Sequence, residues 1–438
     1  MPTTSSSSAR ESYTLPGMLV TNRRFTVPLD HADPDGERLS VFARELAPSE
    51  RAGAELPYLV FLQGGPGSAS PRPESRSGWL DRALQDHRVL LLDQRGTGIS
   101  SPVSYQTVAE RGTAEEQAAY LAHFRADAIV ADAELIRREL IGDEPWTVLG
   151  QSFGGFCALR YLSAAPGGLR AALITGGIPS LTRPAEDVYR ATFPRVEAKN
   201  RAFFARYPHA QLTCRRIADH LLKNDVSLPN GQRLTARQFQ QLGLAFGGAG
   251  GSEAVMDLLE RAFVTVDGRD ELSYPFLHGV FGATSFHTNP IFTVLHEAIY
   301  CQGTASNWAA GRVQADFPQF DYAPGKEFLF TGEMVYPWMC DEFETLRPLK
   351  GAAELLAAKS DWPALYDLDV LAENRVPVAA ALYYHDMYVD LGLAMETVAR
   401  VPNVETWITS EYEHNGLRTD GKRILDKLFA MLPHVERG

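Results

Sequence analysis

A serine flanked by two glycines lies where an apolar run gives way to a helical pattern. Residues 146–149 are typical of a short buried strand, and residues 156–164 are typical of a helix. Gly150, Ser152 and Gly154 therefore fall on a tight strand-to-helix turn, where a serine hydroxyl is strained and exposed. Glycines suit this turn because a Cβ at either position would collide with the backbone. The pattern predicts that Ser152 is a nucleophile, with an ordinary strand–helix turn as the alternative.

A serine nucleophile needs a general base, and the base needs an acid that orients it. For a serine on such a turn, the acid follows the penultimate strand and the histidine base follows the last one. Asp386 comes directly after the penultimate apolar run, and His414 comes after the last run and a short turn. We therefore predict a triad of Ser152, Asp386 and His414. Asp390 and Glu413 remain alternatives for the acid.

The charge that develops on a substrate carbonyl oxygen is stabilised by two backbone N–H groups. One is expected at Phe153, directly after the predicted nucleophile. The second is expected in the loop after the apolar run at residues 58–62, where Gly64, Gly65 and Gly67 leave the backbone exposed. We predict the N–H of Gly65, with Gly64 as the alternative donor. The alternative interpretation is that this segment forms a plain turn and has no role in catalysis.

Apolar runs without polar alternation are typical of strands that are buried on both faces, as in a parallel sheet. Two such runs occur, at residues 58–62 and 87–93, and further strands are predicted at residues 146–150, 170–176, 376–384 and 404–408. Helical patterns occupy residues 114–140, 153–164, 387–400 and 420–431. Alternating residues at 18–31 and 38–47 predict a hairpin before them. This order predicts an α/β fold with a mostly parallel central sheet.

The alternation of strands and helices stops near residue 179 and resumes near residue 376. Between these points lie helical stretches that are broken by glycines, as at residues 247–251. A helical cap inserted before the last two strands is the simplest account, because two side-by-side domains would leave those strands without a sheet. The predicted segments are a flexible tail (1–14), the first part of the sheet domain (15–182), the helical cap (183–372) and the second part of the sheet domain (373–438).

Composition and charge exclude several classes of protein. The chain has 438 residues and a net charge of −12, which argues against a nucleic-acid partner. Its four cysteines are widely spaced, as is typical of reduced thiols in a cytoplasmic protein. No secretory signal is visible, and no apolar run reaches the ~18 residues of a membrane span. We therefore expect a cytoplasmic protein that binds neither nucleic acid nor membrane, and the sequence carries no signal for an oligomeric state.

Three motifs at residues 63–67, 93–100 and 150–155 occur in this order, each of them rich in glycine. Together they closely resemble the proline iminopeptidase (prolyl aminopeptidase) family of α/β-hydrolases, over the predicted sheet domain. Shorter members of that family carry histidine and tryptophan where this chain has Gln63 and Phe153, so the chain looks like the larger-subunit branch. The resemblance implies an α/β-hydrolase fold and a serine peptidase that releases N-terminal proline from peptides through a prolyl-enzyme.

Such an exopeptidase must bind the positively charged imino group of its substrate, for which a carboxylate is suited. The family has two amino-terminus-binding glutamates in its cap, and Glu297 and Glu333 resemble them in setting. Phe153, Tyr336 and Trp338 are candidates for an apolar slot that encloses the pyrrolidine ring. The segment around Glu297 lacks the second histidine of a zinc-binding H-E-x-x-H motif. We therefore expect no metal and no cofactor.

Two other functions are compatible with these residues. One is an esterase or amidase that acts on small acyl compounds without an amino terminus. The other is a hydrolase-like binding protein without turnover, which would be expected to have lost a triad residue. Glu297→Gln and Glu333→Gln should cripple a proline exopeptidase and barely affect an esterase, so these substitutions separate the first two functions.

Overall fold

One nine-stranded sheet organises the chain, for which a computed structural model describes residues 11–433. The strands are β1 (Ser12–Leu15), β2 (Met18–Pro28), β3 (Arg38–Pro48), β4 (Tyr58–Leu62), β5 (Arg88–Asp93), β6 (Trp146–Gln151), β7 (Leu169–Thr175), β8 (Phe263–Val266), β9 (Arg269–Leu272), β10 (Val378–Tyr383) and β11 (Val404–Thr409). Their order in the sheet is β1-β2-β3-β5-β4-β6-β7-β10-β11, and β8 and β9 form a separate hairpin. The six strands from β5 to β11 in this order pair in parallel, whereas β1, β2 and β3 pair antiparallel.

Helices connect the strands and fill the segment between β7 and β10. They are α1 (Gly78–Asp86), α2 (Tyr105–Ala109), α3 (Ala114–Leu121), α4 (Ala126–Ile141), α5 (Phe153–Ala164), α6 (Ala185–Arg206), α7 (Ala210–Lys223), α8 (Ala236–Gln240), α9 (Gly251–Glu260), α10 (Tyr274–Ala283), α11 (Pro290–Leu295), α12 (Ala309–Gln314), α13 (Met339–Glu342), α14 (Lys350–Ala358), α15 (Leu368–Ala372), α16 (Leu391–Val398), α17 (Gly416–Thr419) and α18 (Gly421–Met431). The helices α6 to α15 and the exposed β8–β9 hairpin follow β7 and precede β10, so this segment adds no strand to the nine-stranded sheet in the described range.

The central strands are mostly apolar because both faces of the sheet are covered. In β4, Leu59 and Phe61 pack on one face with residues of α1 and α18, and Val60 and Leu62 pack on the other with residues of α4 and α5. Successive strand residues point to opposite faces, so a strand between two helical layers needs an apolar residue at every position. The predicted α/β fold with a mostly parallel sheet is confirmed.

The observed elements correct the predictions at two places. The predicted flexible tail, 1–14, ends in β1, which pairs antiparallel with β2, and residues 1–10 lie outside the described range. The helical pattern at 114–140 is divided into α3 and α4 at Arg125. This arginine is 1% exposed, and its guanidinium donates to the carbonyl oxygens of Ala298, Cys301 and Pro363 at 3.1, 2.7 and 2.9 Å. The helical pattern therefore breaks at the residue that bonds to the inserted segment.

Two properties of the described residues concern the environment of the protein. None of their helices is both long enough and apolar enough to cross a membrane. Cys157, Cys214, Cys301 and Cys340 are buried free thiols.

Candidate active site

Ser152 lies on the turn between β6 and α5, in a backbone conformation that non-glycine residues rarely adopt. Its φ is 55° and its ψ is −126°, and its N–H donates to the carbonyl oxygen of Thr175 at 3.0 Å. A Cβ on Gly150 would lie 2.3 Å from the carbonyl oxygen of Gly154, and a Cβ on Gly154 would lie 1.9 Å from that of Leu62. Both glycines are therefore required for the strand and helix to approach this closely, and this packing holds the serine in its strained conformation at the end of the sheet.

His414 and Asp386 are joined by a short hydrogen bond below the surface. Nδ1 of His414 donates to Oδ2 of Asp386 at 2.6 Å, and the two residues are 8% and 1% exposed. The other carboxylate oxygen, Oδ1, accepts from the backbone N–H groups of Tyr388 at 2.8 Å and Val389 at 3.1 Å. The carboxylate is therefore held in one orientation, with one oxygen on the backbone and the other on the imidazole.

The environment of His414 raises the pKa of its imidazole above the ordinary value. Burial alone would lower this pKa, and Arg418 acts in the same direction. The charge and hydrogen bond of Asp386 and the charge of Glu333 act in the opposite direction and outweigh them. Tyr388 packs edge-on against the imidazole, with the ring centroids 4.7 Å apart. The imidazole is thus arranged to accept a proton and to be stabilised as a cation.

The two alternative acids have other partners. Asp390 accepts from Nε of Arg195 at 2.6 Å and from the N–H of Leu393 at 3.0 Å, as the N-cap of α16. Glu413 forms an ion pair with Lys199, with Nζ and Oε2 2.5 Å apart. Of the three candidate acids, the structure brings Asp386 to the histidine.

The predicted nucleophile and base meet at the carboxyl end of β7. The N–H of Ser152 is bonded to Thr175, and a Cβ on the next residue, Gly176, would lie 3.1 Å from Nδ1 of His414. Ser152 and His414 line one cavity of about 450 Å³. Its other lining residues are Gln63, Gly64, Gly65, Gln151, Leu244, Ala245, Gly247, Gly248, Ala249, Gly251, Phe292, Glu333, Tyr388, Asn415 and Arg418.

The predicted oxyanion donors lie on both sides of the serine. Phe153 is the first residue of α5, so its N–H has no partner within the helix. Gly64 and Gly65 line the cavity, and within residues 11–433 neither backbone N–H donates a hydrogen bond. A Cβ on Gly64 would lie 2.7 Å from the Cβ of Ser152, which shows how closely this loop passes the serine.

Glu333 lies in the same cavity as Ser152 and His414, as one of two predicted cap glutamates. It is partly accessible from that cavity and has no hydrogen-bond or ion-pair partner among the described residues. Burial raises the pKa of its carboxyl to about 7, an effect that the charge of Asp386 increases and that of His414 opposes. A largely buried carboxyl without a partner is unfavourable. A ligand that binds in the cavity could supply the missing cation or hydrogen-bond donor.

Glu297, the second predicted glutamate, is placed differently from the prediction. It does not line this cavity, and it is 4% exposed. Its two oxygens accept from the backbone N–H groups of Ala309 and Ala310, both at 2.9 Å, at the beginning of α12. A carboxylate at this end of a helix satisfies N–H groups that have no partner within the helix.

The aromatic residues predicted to enclose a proline ring also lie elsewhere. Phe153 is 2% exposed and does not line the cavity. Tyr336 and Trp338 stack on each other, with ring centroids 5.4 Å apart, and line a separate cavity within the inserted segment. The aromatic side chain that lines the site cavity from α11 is Phe292. The sequence shows which residues are aromatic but not which surface each side chain faces.

Segment 244–249 was not among the predicted site residues, and it contacts the loops of Asp386 and His414. The N–H of His414 donates to the carbonyl oxygen of Gly247 at 3.0 Å, and the N–H of Ala249 donates to Oδ1 of Asn415 at 2.9 Å. The hydroxyl of Tyr388 donates to the carbonyl oxygen of Leu244. A Cβ on Gly247 would lie 2.0 Å from the Tyr388 ring. The cluster of glycines was the available signal, because glycines permit such close approach.

No group of three or more histidine, cysteine, aspartate or glutamate residues within the described range could hold a metal ion. The arrangement of serine, imidazole and carboxylate next to free backbone N–H groups is suited to acyl transfer without one. The sheet, its strand-to-helix turn and this site together define an α/β-hydrolase. A family model for the alpha/beta hydrolase fold matches residues 57–255.

Known proteins similar to this chain narrow the class. A proline iminopeptidase of Aeromonas sobria is 53% identical over 420 residues, which cover 96% of this chain and 98% of the relative. A proline iminopeptidase of Aspergillus aculeatus is 36% identical over 432 residues, which cover 96% of each chain. The crystal structure of a proline iminopeptidase from Mycobacterium smegmatis has a TM-score of 0.44 at 16% identity, over 93% of this chain and 98% of that one. The chain belongs to the proline iminopeptidase family of α/β-hydrolases.

Proposed function

We propose that this protein is a serine exopeptidase that releases N-terminal proline from peptides. The observation that carries the proposal is the carboxyl of Glu333, which has no partner in the described part of the chain and lies in the cavity that also contains Ser152 and His414. The names of the similar Aeromonas and Aspergillus proteins support it. The substrates would be peptides with a free N-terminal proline.

The imino group of an N-terminal proline is a secondary ammonium, with one positive charge and two N–H donors. A carboxylate that is largely removed from water forms strong, short hydrogen bonds with such a group. The cation in turn stabilises the ionised form of Glu333, whose pKa is raised to about 7 by burial. An acyl substrate without an amino terminus would leave this carboxyl unsatisfied. The charge of Glu333 therefore favours an exopeptidase over a general esterase.

The proposed reaction begins when Nε2 of His414 takes the proton of the Ser152 hydroxyl as the oxygen attacks the prolyl carbonyl. The N–H groups of Phe153 and Gly65, with Gly64 as the alternative, hold the resulting oxyanion. Asp386 keeps the Nδ1 proton in place and stabilises the imidazolium. His414 then gives its proton to the leaving amine. Water attacks the prolyl ester, again with His414 as the base, and releases proline.

The apolar part of the proposed proline site differs from the slot expected from the sequence. Phe292 is half-buried and lines the cavity, as do Leu244 and Ala245. These side chains would contact the pyrrolidine ring while Glu333 binds its nitrogen. We infer that residues 183–372 act as a cap, because this segment contributes all four of these residues.

Glu297 has an indirect role in the proposed function, because it stabilises the cap rather than contacting the substrate. Because both of its oxygens bind the N-terminus of α12, its replacement by glutamine would leave one backbone N–H facing an amide NH2 group. We expect Glu297→Gln to lower the thermal midpoint of unfolding, with any rise in KM following from that loss. A stable Glu297→Gln variant with a selectively raised KM for proline substrates would instead indicate direct contact with substrate.

A set of chromogenic amides tests the proposal. Wild-type protein should cleave the prolyl amide, cleave the alanyl amide far more slowly and leave N-acetyl-prolyl amide intact, whereas Ser152→Ala should be inactive. Glu333→Gln should raise KM for the prolyl amide at least tenfold and leave hydrolysis of a neutral acyl ester within a few-fold of wild type. Glu260→Gln, an exposed glutamate of the cap, is the matched control. Cleavage of esters without cleavage of any aminoacyl amide would refute the proposal.

The last part of the proposal concerns the cellular compartment in which the protein acts. Four buried free thiols are suited to a reducing compartment, so we propose that the protein acts on peptides in the cytoplasm. Fractionation of the source cells, with activity on the prolyl amide as the readout, tests this part.

A further inference from the structure

Arg418 lies between two cavities, one of which is the site cavity. A second cavity, of about 360 Å³, shares part of its wall with the first. The residues that line both are Gln63, Gln151, Asn415 and Arg418. The wall of the second cavity also includes the ring of Trp79 and the charged side chains of Arg72 and Glu74. A ligand that leaves the site cavity on this side therefore passes Arg418.

The guanidinium of Arg418 has no partner among residues 11–433. The side chain is exposed and forms no hydrogen bond or ion pair with any residue in the described range. Its backbone is fixed, because its N–H donates to the carbonyl oxygen of Asn415 at 2.8 Å within α17. Its charge reaches the reacting centre, since it lowers the pKa of His414. Arg418 is thus a cation close to the catalytic imidazole and free to bind an anion.

The position of Glu333 indicates which part of a substrate would meet Arg418. Glu333 lines the first cavity and is absent from the wall of the second. If Glu333 holds the imino group, as the proposed function requires, the prolyl group occupies the first cavity. The second cavity, which lacks Glu333, then offers the leaving peptide a path from Ser152 along the wall that the two cavities share. Arg418 is therefore on the leaving-group side.

We propose that Arg418 binds a carboxylate of the leaving peptide, so that short peptides with a free C-terminal carboxylate are the preferred substrates. This inference rests on the proposed function and names its substrate class. A guanidinium can hold both oxygens of a carboxylate at once. In a prolyl dipeptide the carboxylate lies one residue beyond the scissile bond, and each further residue adds about 3.3–3.6 Å. Arg72 and Glu74 both line the second cavity, so a longer peptide would meet charges of both signs there.

Paired substrates that differ in one charge test the proposal. We expect wild-type protein to cleave Pro-Gly with a kcat/KM about tenfold above that for Pro-Gly amide, mainly through a lower KM, as for a solvent-accessible charge-assisted contact. Arg418→Met should reduce this ratio to near one, and Arg418→Lys should restore part of it. Arg375→Met is the matched control, because Arg375 is exposed, has no partner in the described range, and precedes β10 at the end opposite the site.

A second pair of substrates distinguishes the possible sources of the carboxylate. Pro-Asp amide and Pro-Asn amide carry no C-terminal charge and differ in one side-chain carboxylate. A preference for Pro-Asp amide without a preference for Pro-Gly over its amide would overturn the assignment to the C-terminus.

The remaining outcomes separate the two proposals. A wild-type ratio near one for Pro-Gly over its amide, or a ratio that survives Arg418→Met, would overturn the role of Arg418. The prolyl chromogenic amide, whose leaving group is uncharged, reports on the proposed function alone. If wild-type protein cleaves it and the dipeptide ratio is near one, only the carboxylate site fails. If wild-type protein cleaves neither, the proposed function fails.

Discussion

Replacing Asp386 by asparagine should abolish catalysis while leaving the fold intact. Oδ1 of Asp386 accepts from the backbone N–H groups of Tyr388 and Val389 at 2.8 and 3.1 Å, so the amide oxygen of asparagine takes this position. Its NH2 group then faces Nδ1 of His414, which must become an acceptor. The ring proton moves to Nε2, and the imidazole can no longer take the proton of Ser152.

The size of the effect follows from the 2.6 Å contact between Nδ1 of His414 and Oδ2 of Asp386. Coulomb's law with an effective dielectric constant of about 20 gives about 6 kcal/mol for an imidazolium and a carboxylate at this separation. Each tenfold change in rate corresponds to about 1.4 kcal/mol. The expected fall in kcat is therefore about 10⁴-fold. KM should change little, because Asp386 does not line the cavity.

Steady-state kinetics on the prolyl chromogenic amide measure this loss, and circular dichroism with thermal unfolding checks that the variant is folded. Asp390→Asn is the matched control, because Asp390 pairs with Arg195 and caps α16 and should keep kcat within about threefold of wild type. A folded Asp386→Asn variant with kcat within tenfold of wild type would refute the tautomer argument. Loss of activity in Asp390→Asn alone would make Asp390 the acid.

Three further predictions concern charge, packing and metal. Glu333→Gln removes a charge that raises the pKa of His414. Because the imidazole must be neutral to act as a base, the acid limb of the pH profile of kcat for a neutral ester should move to lower pH. An acid limb that does not move would contradict this coupling. In Gly154→Ala the new Cβ would lie 1.9 Å from the carbonyl oxygen of Leu62, whereas a Cβ on Gly53 meets nothing within 4 Å. Urea unfolding should therefore show that Gly154→Ala lowers the free energy of unfolding by about 1–3 kcal/mol. Gly53→Ala should change it little. Dialysis against a chelator should leave kcat/KM unchanged, and a loss that zinc restores would overturn the metal-free mechanism.

The residues that could be predicted from the sequence are those whose position follows from the order of strands. Ser152 lies between a buried apolar run and a helical pattern, and Asp386 and His414 come after the last two runs. In a parallel sheet the carboxyl ends of the strands lie at one edge, so these three residues were expected at the same place. Central strands such as β4 were recognisable because burial on both faces makes their residues apolar.

The sequence could not indicate which cap residues face the site. The cap lacks a regular repeat that would relate residue spacing to direction, so Glu297 and Glu333 were equivalent by pattern. The structure separates them by their partners: Glu297 binds two backbone N–H groups of α12, and Glu333 has none in the described range. The break at Arg125 was missed for a similar reason, since its carbonyl partners are more than 170 residues away in the chain.

Segment 244–249 connects the proposed cap to the loops that carry Asp386 and His414. This segment accepts the N–H of His414, donates to the side chain of Asn415 and accepts the hydroxyl of Tyr388, whose N–H binds the carboxylate of Asp386. The same segment supplies much of the wall of the substrate cavity. A cap that only covered the site would need no bonds to the loops that hold the acid and the base. Because these bonds exist, the proposed cap and the loops of Asp386 and His414 belong to one continuous set of hydrogen bonds.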